Sequence, residues 1–431
     1  MGVAIGLLIL SVMMIVHELG HYLTGRRLGF EIEEFSIFMG PVLFSWRRNN
    51  IKYSLKLLPI GASVRFAGEY DELDKQNDNP GFFYNRPKWA RAIVISTGPA
   101  LNLLSGVLAF LIMFSSFGYT LPVIGEIAEN SLAAETDLEV GDRILRANNQ
   151  PVRTTLDYNG AEMFLGADQP MELLVRKSSG EKTTVVMEPQ WRDNYRLGIT
   201  IQMSQDQATA VVNEVDPESN QGEPVLQPGD VLLAANGVPF QDSERFNAEI
   251  AQSGHQPLEI DILRDGEPKT VTMTASRYQD PVPRGLYFES SQAFIPAIGQ
   301  AFQWSWSIVK VTVRSIGMLF SGALRPQDTL AGPVGVVTMI SDVVSQEQPL
   351  SEKVFQLLWM FALISVSLGF MNLLPIPPLD GNHLILIGVE AIRGKRLSLR
   401  TQSLIGMIGF ALIILLALAG LTFDLLRLTG R

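Results

Sequence analysis

The sequence predicts a multi-span α-helical membrane protein: four transmembrane helices, a membrane-associated β-hairpin region on the cytoplasmic side, and two α+β domains inserted between spans two and three. Three observations carry this expectation. The 431-residue chain has a mean hydropathy of +0.18 and only 18% charged residues, where soluble proteins carry about 25%. Four stretches, Gly2 to Thr24, Ala92 to Gly118, Val354 to Leu374 and Leu404 to Phe423, match the roughly 20 helical residues that cross a bilayer core of about 30 Å. The charges, finally, are segregated. Tyr119 to Ser290 holds 13 Lys+Arg against 28 Asp+Glu, a net −15, and the rest of the chain is +5.

The overall charge of −10 argues against a nucleic-acid partner, because phosphate contacts need a basic surface. With no cysteine in the chain, a disulfide framework, a thiolate metal cage and a cysteine nucleophile are all excluded. Chemistry is left to His, Asp, Glu, Ser and Lys.

Nothing before Val16 is charged, so the N-terminus lacks the basic start of a secretory signal peptide and reads as a span. Arg26 and Arg27 follow it directly, and the positive-inside rule then puts its N-terminus outside. Two further basic clusters fall on the cytoplasmic side of the same topology: Arg86, Lys88 and Arg91 before span two, and Arg393, Lys395, Arg396 and Arg400 between spans three and four. Arg427 and Arg431 on the outer side run against the rule, weakly, beside Asp424. The expected organisation is a first span at 1–25, a cytoplasmic loop at 26–90, span two at 91–118, inserted domains at 119–205 and 206–290, amphipathic helices at 291–353, span three at 354–387, a loop at 388–403, span four at 404–424 and a tail at 425–431.

The insert repeats. Gly141-Asp142-Arg143-Ile144-Leu145-Arg146-Ala147-Asn148 aligns with Gly229-Asp230-Val231-Leu232-Leu233-Ala234-Ala235-Asn236 at an offset of 88 residues, and Arg176 and Arg264 keep that offset at the ends of alternating apolar runs. Helices are expected near Thr155 to Gly166 and Ser243 to Ser253. The G-D-x-I/L-L-x-A-N-x-x-P pattern resembles bacterial PDZ domains, which bind extended peptides by adding a strand to a sheet edge. Ile124 to Ile127 is a candidate binding loop in the first copy. Its counterpart in the second, Val211 to Val215, has no glycine.

Span one carries its only polar cluster in His17-Glu18-Leu19-Gly20-His21. Residues i and i+4 share a helix face, so both imidazoles can ligate one zinc with Glu18 beside it. Zinc lowers the pKa of a bound water to about 7 and an adjacent carboxylate can take its proton. Ionisable residues inside a span cost about 2.5–3.5 kcal/mol and mark function by default. A catalytic zinc needs a third protein ligand. Asp380 is the candidate, in Asn372-Leu373-Leu374-Pro375-Ile376-Pro377-Pro378-Leu379-Asp380-Gly381, where prolines break the helix and irregular backbone must line a cavity or lie buried in protein. For Asp380 a helix N-cap is the alternative role, and His383 is the alternative ligand.

The order of these features resembles the site-2 protease family of intramembrane zinc metalloproteases, in its regulator-of-sigma-E branch of Gram-negative bacteria, over essentially the whole chain. The resemblance implies zinc held by His17, His21 and Asp380, Glu18 as catalytic base, and Asn372 and Asn102, the latter in Gly98-Pro99-Ala100-Leu101-Asn102, binding substrate or stabilising the oxyanion. An Asn in an apolar span can equally serve helix packing. The resemblance also implies that the β region within Phe35 to Phe66 clamps substrate as an added strand, at Gly61, Ala62 and Ser63, although the family usually has two glycines and a tyrosine there. It implies a bacterial inner-membrane location with both termini and the PDZ pair periplasmic. The expected partners are single-pass membrane substrates (a membrane anti-sigma factor after a first external cut, and remnant signal peptides), peptide ligands of the PDZ domains, and lipid. Lipid contact is expected for Ser291 to Ala323, where Lys310 and Arg314 make a fifth span costly and an interfacial helix natural. Two other classes compete: a membrane-anchored PDZ adaptor without activity, and a metal transporter, which would carry polar ligands in several spans.

Overall fold

The structure, a computed structural model, describes residues 2–69, 79–203, 209–324, 332–395 and 397–428; Arg396, Arg431 and the expected 205/206 domain boundary lie outside them. Among the described residues four helices are long and apolar enough to cross a membrane: Gly2–Arg27, Lys88–Phe117, Leu350–Asn372 and Thr401–Asp424. The chain divides into two compact units, one of Met1–Pro122, Pro151–Gly160 and Phe288–Arg431 and the other of Val123–Gln150 and Ala161–Tyr287.

The first unit is built on α1 (Gly2–Arg27) and α2 (Lys88–Phe117), which approach closely because both carry glycine at the crossing. A Cβ on Gly20 would sit 2.4 Å from the Thr97 carbonyl oxygen. Between these helices come β1 (Ile32–Arg48) and β2 (Ile51–Phe66), and their register is richer than a hairpin. Val42 to Arg48 pairs back to back with Ile51 to Lys56, as a hairpin does, but Glu34 to Ile37 lies opposite both Lys52 to Leu55 and Ala62 to Arg65. Each long strand therefore folds into two segments, and Ala62 to Phe66 forms an outer edge. The segment turns at Gly61, φ +85°, where a Cβ would meet Met39. Tyr22, Phe30, Phe35, Phe66, Phe83, Val94 and Ile387 bury this sheet's base against α1 and α2. Its far half exposes Leu43, Phe44, Trp46, Leu57 and Leu58.

Farther along the chain of the same unit, α6 (Phe294–Phe320), α7 (Pro333–Ser345), α8 (Leu350–Asn372), α9 (Asp380–Arg393) and α10 (Leu399–Leu428) follow. One face of α6 is buried, with Trp304 among Phe110, Phe114 and Trp359, while Ile295, Phe302, Trp306 and Phe320 are exposed. Lys310, which sequence could read only as a charge against membrane insertion, pairs with Asp157 at 2.6 Å, and the Thr154 hydroxyl donates to Ser307 at 3.0 Å.

The repeat forms two modules, most of it in the second unit, with 119–122, 151–160 and 288–291 counted in the first. The first uses β3 (Tyr119–Ile127), β4 (Arg143–Ala147), the short β5 (Gln150–Pro151), α3 (Thr155–Met163), β6 (Met171–Arg176) and β7 (Lys182–Met187). After β8 (Trp191–Arg196), the second uses β9 (Ile199–Met203), β10 (Ala210–Val215), α4 (Ser219–Gly222), β11 (Val231–Ala235), β12 (Val238–Pro239), α5 (Ser243–Ser253), β13 (Pro257–Arg264) and β14 (Glu267–Thr274). Then come β15 (Ser276–Pro281), which pairs with β8, and β16 (Leu286–Ser291). The sheet orders are β14-β13-β11-β10-β9 and β7-β6-β4-β3-β16. The outermost strand of the first module thus comes from the far end of the insert, and the second module is nested inside the first. This order corrects the binding-loop expectation. Ile124 to Ile127 and Val211 to Val215 lie on interior strands, which have no free edge to offer. The ends of the second module's order are β14 and β9, and β9 is preceded by Leu197-Gly198, where Gly198 has φ +68°.

The Gly-Asp pairs have a local cause. Gly141 and Gly229 adopt φ of +94° and +97°, a conformation glycine reaches at no steric cost. The following carboxylates are buried and accept a backbone N–H three residues back, Glu139 to Asp142 at 3.0 Å and Gln227 to Asp230 at 2.8 Å. Asp230 pairs with Arg264 at 2.7 Å, but Asp142 pairs with Lys177, at 3.0 Å, instead of Arg176. The reason is register: Arg143 faces Arg176 whereas Val231 faces Leu263, so the offset shrinks from 88 to 87 on the partner strand. Burial works to raise the Asp230 carboxyl, and the Arg264 guanidinium with the Gln227 N–H overcome it and hold it below its ordinary value. A depressed folded-state pKa contributes stability that is complete above the unfolded value near 3.9 and is lost as pH falls through the folded one. Arg264→Gln is expected to destabilise this unit by about 3 kcal/mol at pH 7 and to flatten its stability loss below about pH 5. Urea unfolding of the full chain at pH 7 and pH 3 checks both.

Candidate metal centre

His17, Glu18 and His21 sit in the last third of α1, and Asp380 is the first residue of α9. Between α8 and α9 the chain turns tightly through the prolines, with Ile376 N–H donating to the Leu374 carbonyl and Leu379 N–H to that of Ile376, each at 2.8 Å. Gly381 makes the turn fit. A Cβ there would lie 2.2 Å and 2.3 Å from the carbonyl oxygens of Leu373 and Leu374, so the residue after Asp380 must be glycine for the carboxylate to face α1.

Three donor atoms converge. His17 Nε2 is 3.1 Å from His21 Nε2, and Asp380 Oδ2 is 3.1 Å from the first and 3.5 Å from the second. Among the described residues these are the one such group, with all ligand atoms within 4.8 Å of one another. Two imidazole nitrogens and one carboxylate oxygen aimed at a common point form a donor set that zinc takes, with a coordination position left open. His21 is fixed in orientation, since its Nδ1–H donates to the Val94 carbonyl at 2.9 Å, and in that tautomer Nε2 presents a lone pair to the other two donors. The ring fits because Gly98 has no side chain; a Cβ there would fall 2.2 Å from Nε2. His17 Nδ1 is 3.5 Å from the amide nitrogens of both Asn102 and Asn372.

A cavity of about 240 Å³ opens on this cluster, lined by His17, Glu18, His21, Val64, Phe66, Asn372, Asp380 and His383 among others. Glu18 Oε2 accepts the Val64 N–H at 2.8 Å. His383 therefore shares the cavity but is not in the converging set. Gly61, Ala62 and Ser63 do not line it. Ala62 is buried and Ser63 bonds Ser36 at 2.8 Å, and the residues of that segment that reach the cavity are Val64 and Phe66. Asn372 lines it; Asn102, fully buried, does not. Sequence reasoning missed the Val64 N–H, the Val94 carbonyl and the three glycines of close approach. Two of the glycines had a signal, since Gly20 and Gly381 each stand beside a residue of the site in a segment where glycine lowers helix propensity.

A two-histidine, one-carboxylate centre beside a glutamate, carried on helices apolar enough to span a membrane, is the equipment of a membrane metalloprotease. The sequence profile of peptidase family M50 matches residues 5–416. The chain is 28% identical over 449 residues to Protease RseP of Yersinia pestis and 28% identical over 457 residues to Regulator of sigma-E protease RseP of Escherichia coli (strain K12), with 97% of each chain covered. A Pasteurella multocida protein whose name carries the words zinc metalloprotease is 29% identical, with 98% of both chains covered. This chain belongs to peptidase family M50, the site-2 protease family, and is a zinc-dependent metalloprotease of the membrane.

Proposed function

We propose that the protein cleaves single-pass membrane proteins within or near their transmembrane helix, with His17, His21 and Asp380 as zinc ligands and Glu18 as general base. The observation that carries this is the convergence of the three donors with Glu18 in one cavity on span-length helices. Zinc held there supplies Lewis acidity, polarising the scissile carbonyl and making water a nucleophile near neutral pH. Glu18 takes the proton from the attacking water and returns it to the leaving amine. Because Oε2 is engaged by the Val64 N–H, Oε1 is the oxygen that carries the proton. Asn372, in the cavity wall, is the residue positioned to bind the developing oxyanion.

A helical substrate hides its carbonyls in hydrogen bonds, so it must be extended before attack. The Ala62 to Phe66 edge supports strand addition here. Among the described residues it pairs with Ile32 to Ile37, and the Val64 N–H donates to Glu18. The exposed apolar half of that sheet suits membrane contact, as does the exposed face of α6. The basic clusters at Arg26 and Arg27, and at Arg86 to Arg91, favour placing this region in the cytoplasm of a bacterial cell, with both termini and the acidic insert outside its inner membrane.

The two modules are PDZ domains in this reading. The second is the better equipped for a peptide, since a cavity of about 340 Å³ lies between Leu197-Gly198-Ile199 and α5, walled by Ile201, Phe246 and Ile250. The pair serves as a size filter that admits substrates after a first external cut, and the substrate class that fits, by likeness to the regulators of sigma-E, is a membrane anti-sigma factor, with remnant signal peptides as a second class. Replacing 123–287 by a short linker is expected to release cleavage of uncut substrate; unchanged selectivity sinks the filter. The central test is cleavage of a tagged single-pass anti-sigma-type protein, with its external domain removed, by the purified protein in detergent. Zinc-dependent cutting inside the membrane segment supports the reading, and no cutting by a zinc-loaded sample overturns it in favour of an inactive adaptor.

A further inference from the structure

We propose that Asn102 is a positioning residue of the metal centre, which holds His17 in the tautomer and orientation that ligation requires, and that it does not touch substrate. The proposal rests on the zinc reading above. A histidine that ligates through Nε2 must carry its proton on Nδ1, and that N–H needs an acceptor. His21 has one in the Val94 carbonyl at 2.9 Å. Among the described residues no backbone carbonyl bonds His17 Nδ1; what faces it are the amides of Asn102 and Asn372, both at 3.5 Å.

The two asparagines differ in surroundings. Asn372 lines the cavity and is reachable by substrate. Asn102 is fully buried and outside the cavity wall, so a scissile carbonyl cannot reach it. Its Oδ1 is buried without a hydrogen-bond partner, a costly state within an apolar span. The O and N of an amide are assigned from the surrounding network. With Oδ1 toward His17, the amide accepts the Nδ1–H, which an amide nitrogen at that position could not do.

The backbone around Asn102 is built to keep the amide in place. The Ser105 and Ser365 hydroxyls lie 2.9 Å and 3.0 Å from its carbonyl oxygen and 2.7 Å from each other, so their two protons are shared among these contacts. Glycines flank it at the α2–α8 contact: a Cβ on Gly106 would meet Val366 at 2.5 Å, and one on Gly369 would meet the Pro99 carbonyl at 2.9 Å. Two helices in backbone contact give Asn102 little room to move relative to α1.

The test is zinc affinity, measured by competition with a chelator in detergent micelles, for wild type, Asn102→Ala, Asn102→Asp and His17→Ala, with KM and kcat for the cleaved substrate at saturating zinc. Asn102→Ala is expected to bind zinc about 10- to 100-fold more weakly with KM unchanged, and Asn102→Asp, which keeps an acceptor, to recover most of that loss. Wild-type zinc affinity in Asn102→Ala with a raised KM would mean substrate contact and overturn the proposal, as would equal losses in the Ala and Asp variants. If His17→Ala itself retains full zinc affinity, the metal-centre reading fails; if only His17→Ala loses zinc, the assignment of Asn102 alone falls.

Discussion

Glu18→Gln is expected to keep about one zinc per chain and to lose cleavage by roughly 10²- to 10⁴-fold in kcat, the usual contribution of a positioned general base. The amide is nearly isosteric and can still accept the Val64 N–H that Oε2 accepts at 2.8 Å, so the edge strand keeps its place. What disappears is the basic oxygen. Glu18 is not among the converging donors, so metal content should not move. Zinc analysis beside single-turnover cleavage of the same preparation separates the outcomes: unchanged cutting removes Glu18 from the mechanism, whereas loss of zinc together with activity would make it a ligand.

Gly98→Ala should be among the most damaging single methyls in the protein. The added Cβ lies 2.2 Å from His21 Nε2 and 2.5 Å from Cε1, far inside contact distance, and the clash is with the converging nitrogen itself. The helices have no room to separate cheaply, because Gly20, just before His21, is already packed against the carbonyl of Thr97, just before Gly98. The imidazole must swing out, which breaks its bond to Val94 and takes one donor of three away from Asp380. Zinc affinity is expected to fall by more than about 100-fold, beyond the range for loss of a supporting hydrogen bond, with cleavage falling to background. Gly317→Ala, in α6 with nothing within 4 Å of its Cβ, is the control and should be neutral in both assays. A Gly98→Ala protein that binds zinc like the wild type would mean that His21 is not a ligand in the arrangement described.

Much of the architecture was legible because it depends on local composition. The four apolar stretches became four helices, since a run of about 20 apolar residues has few other solutions, and the expected helix at Ser243 to Ser253 has those bounds in the structure. His17 and His21 share a face by helical period alone. Other features needed partners far away in sequence. The β region read as a hairpin but folded into a doubled sheet, because its second register, Glu34 to Ile37 against Ala62 to Arg65, depends on burial against α1 and α2. The nesting of one module inside the other was invisible to a repeat offset, which aligns similar strands without saying which edge they join. Lys177 replaced Arg176 as the partner of Asp142 for the same reason: pairing follows strand register, and register shifted by one.

By itself, the sequence determined the kind of protein this is: a helical membrane chain with an acidic repeated insert, a pair of histidines at ligand spacing with a carboxylate beside them, and a proline-broken Asp-Gly segment. Each of these is written within a few turns of one element. The tertiary structure decided which groups complete the site. Asp380 lies more than 350 residues from His17, and only the turn after α8 brings its carboxylate to 3.1 Å; Val64 and Val94 act through backbone atoms that any side chain could have carried. Backbone groups leave no mark on amino-acid identity, and approach distances between helices are set by packing. The glycines that permit that packing are its one trace in the sequence.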